Sequence, residues 1–159
     1  MAQAAGGAQG RCGVRIAGTG SALPGKVLTN ADLEKLMDTT DEWIVQRTGI
    51  RKRVVIDKSR GECTATLSVT ALTNALADAR MSPGDLDLLI CATMTPEMSC
   101  PPTACLIAGR IGAGYAGAFD VNGACCGFVH SLNLAHDLIR GGAYRALSLI
   151  HISEPTRPY

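Results

Sequence analysis

Ala118-Phe119-Asp120-Val121-Asn122-Gly123-Ala124-Cys125-Cys126-Gly127-Phe128 (AFDVNGACCGF) is the stretch whose reading decides the fold. Its first residues form a short apolar strand, Asn122-Gly123 makes a tight corner, and the residues from Cys125 onward open a helix. Cys125 therefore stands where a strand ends and a helix begins. The first N–H groups of a helix have no internal partner and its dipole favours negative charge. Helix N-termini are among the settings that can lower a thiol's pKa toward neutrality. The residues alone leave several readings open. Cys125 is a nucleophile that accepts an acyl group, or Cys125 and Cys126 are two small buried residues filling a strand-to-helix corner. A redox pair is a third reading, although adjacent cysteines form only a strained disulfide.

Working outward from the corner, residues 86–93 (LDLLICAT) form a continuous apolar run, the pattern of a parallel strand covered on both faces. A proline-rich loop over 95–102 leads to a helix over 103–111, and a strand over 116–121 leads back to the corner. Past the corner, Phe128, Leu132, Ala135, Leu138 and Ile139 predict the inward face of a helix that Gly141-Gly142 closes. Residues 144–152 (YRALSLIHI) have strand character. Towards the N-terminus, residues 64–81 carry a helical stripe of Leu67, Ala71, Leu72, Ala75, Leu76 and Ala79. Thr29 to Asp32 is a capping-box pattern ahead of a short helix, ADLEKLM. DEWIVQRTGI is a second short helix with Asp41 and Glu42 in its first turn and Gly49 as its stop. Residues 51–57 read as a strand, and 12–19 (CGVRIAGT) as the first strand. Strands alternating with helices of these lengths indicate an α/β fold with a mainly parallel sheet. Ligands bind beyond the carboxyl ends of such strands, where Cys125 falls.

Composition narrows the function classes. The 159 residues are 47% hydrophobic and 18% charged with a net charge of +1, which sets no bias toward nucleic acid or a membrane surface. No apolar run approaches the roughly 20 residues of a membrane-spanning helix. Residues 1–11 read as a short disordered extension without the apolar core of a secretory signal. Seven cysteines, an odd number, fall partly inside apolar segments and lack zinc-ligand spacing, so no metal site is expected and a reduced, cytoplasmic protein fits best.

DEWIVQRTGI, the TP…PPTAC loop-to-helix and DVNGACCGF, in that order, resemble β-ketoacyl-acyl-carrier-protein synthase III, the condensing enzyme that starts bacterial type II fatty acid synthesis. The resemblance implies a thiolase-like fold, with residues 12–147 as the N-terminal half of a five-layer αβαβα arrangement that is homodimeric in the complete family. It implies that an acyl-CoA such as acetyl-CoA acylates Cys125, and that malonyl-acyl carrier protein, after decarboxylation, attacks the thioester to give a 3-oxoacyl product. Coenzyme A is then a substrate component, and no separate cofactor is called for. Thr39, Trp43 and Arg47 match positions that hold the CoA nucleotide; an indole face stacks on adenine and a guanidinium pairs with phosphate oxygens. Without the motif, Trp43 reads as a core aromatic and Arg47 as a solvated helix charge. Cys100 falls where many relatives place a bulky aromatic that reaches into the acyl pocket of the partner subunit. Cys126 is assigned no chemistry.

Decarboxylation needs positioned donors for the enolate, which the family supplies as a histidine and an asparagine from its second half. His130 and His136 read as helix-face residues, and His151 falls in the tail. Residues 148–159 (SLIHISEPTRPY) depart from the family and read as a non-native tail, so condensation by this chain alone is not expected. The alternatives are a related starter synthase of polyketide or other secondary metabolism, a noncatalytic CoA-binding fragment, and a thiol-redox protein.

Overall fold

The computed structural model describes residues 13–152; the expected extension over 1–11, Cys12 and residues 153–159 lie outside them. Three parallel strands in the order β4-β3-β5 form the centre of the molecule: β3 (Leu88–Thr93), β4 (Gly117–Val121) and β5 (Leu147–Ile152). All six residues of β3 are buried, as the unbroken apolar run predicts for a strand covered on both faces. Ser148 to Ile152 complete β5, in register with Leu89 to Thr93.

Alternation along β3 divides the core in two. Leu89 and Cys91 point toward α3 (Thr64–Ala79) and α4 (Thr103–Ile111), packing with Leu72, Leu76, Ala104, Ile107 and Ile150. Leu88 and Ile90 point to the other face, where α5 (Gly127–Arg140) adds Ala135 and Leu138. The result is three layers, helices on both faces of a parallel sheet. Asp87 ties the amino ends of the strands together: its Oδ2 accepts the N–H groups of Arg145 (2.7 Å) and Ala146 (3.0 Å), and its carbonyl accepts that of Gly117 (3.0 Å).

A smaller polar unit precedes this sandwich. β1 (Lys26–Thr29) pairs antiparallel with β2 (Lys52–Val55), and α1 (Asn30–Glu34) and α2 (Asp41–Thr48) lie between them in sequence. Thr29 caps α1 in the expected box with Asp32, and Gly49, at φ 71°, stops α2. The four-residue strand β1 is absent from the sequence reading, being too short and mixed to show a period.

Three expectations need correction. Residues 13–19 form no strand. Its end, with the residues that follow, lies against α3 instead: Thr19 N–H donates to Asp78 Oδ2 (2.8 Å), and Asn74 Nδ2 donates to the Ser21 carbonyl (3.0 Å). Gly18 and Gly20 allow the approach, since a Cβ on Gly20 would meet the Ala71 carbonyl oxygen at 2.3 Å. The helix expected over residues 31–37 ends at Glu34, and Leu36 and Met37 beyond it are exposed. On α5 the buried residues are Gly127, Ser131 and Ala135, while Phe128 and Leu132 are over 40% exposed (44% and 41%). At Gly127 the helix lies against the sheet, where an added Cβ would meet the Ala92 Cβ at 3.4 Å, an ordinary contact distance.

Candidate active site

The corner after β4 is built by close backbone packing. A Cβ on Gly123 would lie 2.9 Å from Gly127 Cα and 3.3 Å from His130 Nδ1, so the turn folds back on the first residue of α5 only because position 123 is glycine. The cysteines do not open α5 directly. Ala124–Cys126 form a single 3₁₀ turn, with Cys126 N–H donating to the Gly123 carbonyl (3.0 Å), and α5 starts at Gly127. Ala124 adopts the left-handed region at φ 44°, uncommon for a residue with a Cβ. This turn lifts Cys125 and Cys126 to the surface, so the reading of two buried packing residues does not hold.

Ala92, against which Gly127 packs, is in register with Val121 of β4 and His151 of β5. The turn carrying Cys125 therefore meets the sheet at the carboxyl ends of its strands, the edge where parallel sheets receive ligands. His151 belongs to the sheet, its ring edge-on to Phe128 with centroids 6.0 Å apart. Cys91 contrasts with Cys125. It is buried in the sheet, and burial, helped by the Asp120 and Glu97 carboxylates, pushes its thiol up to about 12. That sulfur is held protonated and out of reach.

Cys100 is exposed in the loop between β3 and α4. Carboxylates tie this loop into place. Glu97, within it, accepts the Ala65 N–H at the start of α3, and Thr64 Oγ1 donates to the Thr95 carbonyl (2.8 Å). At the far end Asp120 of β4 accepts the N–H groups of Thr103 (2.7 Å) and Ala104 (2.8 Å). Those are the free donors at the start of α4, which Pro102 cannot cap with a side chain. Asp120 thus connects the Cys100 loop to the strand that delivers Cys125.

Trp43 and Arg47 are brought together on α2. The Arg47 guanidinium lies 4.8 Å from the Trp43 ring centroid, a cation–π geometry at i, i+4 spacing. Trp43 is 54% exposed, so it is not a core aromatic. Thr39 is half-buried just ahead of the helix, and its neighbour Thr40 accepts the Trp43 N–H (3.2 Å) as the N-cap. α2 belongs to the small unit and Cys125 to the sandwich, so the candidate residues form two separate groups. A surface hollow of about 350 Å³, lined in part by Ala22, Arg60, Glu62 and Thr70, includes none of them.

No protein-family model matches the chain. Curated relatives do. The β-ketoacyl-[acyl-carrier-protein] synthase III of Caldanaerobacter subterraneus is 47% identical over 135 residues, covering 85% of this chain and 40% of the relative. Among solved structures, 3-oxoacyl-[acyl-carrier-protein] synthase III from Aquifex aeolicus superposes with a TM-score of 0.84 at 42% identity, covering 89% of this chain and 45% of that one. The priming β-ketosynthase of the R1128 polyketide biosynthetic pathway follows at TM-score 0.83 and 35% identity, over 88% of this chain and 41% of its own. The chain thus spans less than half the length of the proteins it matches, and its α/β fold is thiolase-like.

Proposed function

We propose that the chain is the N-terminal half of a β-ketoacyl-[acyl-carrier-protein] synthase III, which it resembles at 47% identity, and that Cys125 is the acyl-accepting nucleophile of this condensing acyltransferase. The observation that carries the proposal is the exposed Cys125 on a tight turn at the carboxyl ends of a parallel sheet, inside a region 47% identical to such a synthase. The Cys125 sulfur attacks the carbonyl carbon of an acyl-CoA; the tetrahedral intermediate collapses and coenzyme A leaves as its thiol. Trp43 stacks on the adenine, Arg47 pairs with phosphate oxygens, and Thr39 adds a hydroxyl beside them. In the complete enzyme, a homodimer of the cytoplasm, malonyl-acyl carrier protein is then decarboxylated and its carbanion attacks the thioester, releasing a 3-oxoacyl product. Cys100 lines the acyl pocket, where its small side chain leaves room for longer or branched primers.

Among the described residues the histidines stand on α5 and β5, and none is paired with an asparagine donor for an enolate. Incubation with acetyl-CoA followed by peptide mass spectrometry tests the first step. One acetyl group on the Cys125 peptide supports the reading, and an unmodified peptide overturns it in favour of a CoA-binding fragment. Loss of two hydrogens across Cys125 and Cys126 under mild oxidation favours a thiol-redox role. The R1128 likeness favours one second reading, a starter synthase of polyketide metabolism. Competition between acetyl-CoA and longer acyl-CoAs for Cys125 separates the two.

A further inference from the structure

We propose that Asn30 is a positioning residue for the nucleotide-binding pair on α2, an inference that rests on the assignment of Trp43 and Arg47 to CoA. Asn30 is 1% exposed, an uncommon place for an amide. Its side chain is nevertheless paired at both ends. Nδ2 donates to Asp41 Oδ1 (2.6 Å) and to the Ile50 carbonyl (2.9 Å), and Oδ1 accepts from Arg53 Nη2 (2.7 Å). Asp41 is the first residue of α2, and Ile50 follows Gly49, the residue that ends it. One amide therefore holds the entry and the exit of the helix, and its third bond fastens both to β2.

α2 depends on that grip. It has eight residues and buries only Ile44. A helix this short has little stability of its own in water, and a single buried side chain does not fix its rotation about the helix axis. Polar anchors set its direction: the Asn30 bonds, and the Asp41 N–H donating to Glu34 Oε1 of α1 (2.7 Å). Trp43 and Arg47 project from the two turns between these anchors, so their shared aim follows from Asn30. Loss of Asn30 would also leave Arg53 short of an acceptor, when its Nη1 is already buried without one among the described residues. An unpaired buried amide costs more than the pairing gains, so Asn30 favours this one arrangement of the helix.

Trp43 is the chain's one tryptophan, so its fluorescence reports on α2 alone. The test measures Trp43 emission and anisotropy and its quenching by coenzyme A in the full chain, with circular dichroism for overall folding. Asn30→Asp sets a carboxylate against Asp41; adding Asp41→Asn restores a donor to the pair. Asn30→Asp is expected to shift the emission, lower the anisotropy and weaken CoA quenching by roughly fivefold or more. The double variant is expected to recover most of all three. Leu76→Ala, in the α3 core, lowers thermal stability but leaves native Trp43 emission unchanged, which separates local from global loss. Wild-type emission and anisotropy in Asn30→Asp overturn the proposal, as does a double variant that fails to recover them, including when the single variant does not fold. Absence of CoA quenching in the wild type overturns the nucleotide assignment instead, and emission and anisotropy still decide the role of Asn30.

Discussion

The Asp120 carboxylate accepts the Thr103 N–H at 2.7 Å across seventeen positions of sequence, so a side chain of β4 caps helix α4. A second bond, to Ala104 N–H, completes the cap. Asp120→Ala is expected to cost about 1–3 kcal/mol, the range for losing a helix cap and leaving part-buried donors unpaired. Asp120→Asn retains one acceptor and should cost less. Urea unfolding followed by circular dichroism measures both.

Cys125→Ser should abolish the acetyl adduct while changing stability by about 0.5 kcal/mol or less, as expected for an exposed side chain. Cys126→Ser should keep the adduct on Cys125. An adduct that follows Cys126 instead would move the nucleophile by one residue.

Alkylation separates the thiols by environment. At about pH 8, iodoacetamide should label the exposed Cys100, Cys105, Cys125 and Cys126 and spare Cys91. The Cys91 thiol, pushed up to about 12, stays protonated as well as enclosed. Labelling of Cys91 should appear only on unfolding, which peptide mass spectrometry resolves residue by residue.

Acid should loosen the strand ends. The Asp87 carboxyl is held below its ordinary range by the backbone N–H groups of Ala146 and Arg145. A depressed carboxylate stabilises the native state above the unfolded value, about 3.9, and that contribution fades as pH falls through the lower native value. Asp32, Asp57 and Asp85 shift the same way, through hydrogen bonds from Thr29, Ser59 and Ser82 respectively. Stability measured from pH 7 downward should therefore hold to about pH 4 and then decline. Asp87→Asn should flatten that decline.

The parts of this fold legible in the sequence are those written in neighbouring residues. Pro102 and Gly112 bracket α4, Gly49 stops α2, and Thr29 with Asp32 spells out a cap, so these features stand where local chemistry puts them. Strand β3 is equally plain, because a strand buried on both faces has no polar interruption. The α5 face was legible at Ala135 and Leu138, which pack on the sheet, but not at Phe128 and Leu132, which are exposed while Gly127 and Ser131 are buried. Residues 13–19 have strand-like composition but pair with no strand, and the chain that follows is held at Thr19 and Ser21 by Asp78 and Asn74 of α3. At the site, the Asn-Gly corner announced Cys125, while the 3₁₀ turn that exposes it did not show. Asn30 and Asp120 gave no signal at all, because each acts through partners 11 to 23 positions away.

Ala124, the residue before Cys125, holds a left-handed backbone at φ 44°. Such a position selects side chains by the shape of the main chain and not by any chemistry the side chain performs. In a saturation library, glycine at 124 should survive and gain stability, asparagine should be tolerated, and valine or isoleucine should be lost. The tolerance profile of this one inert neighbour would therefore measure how firmly the corner presents its sulfur, without any substrate being added.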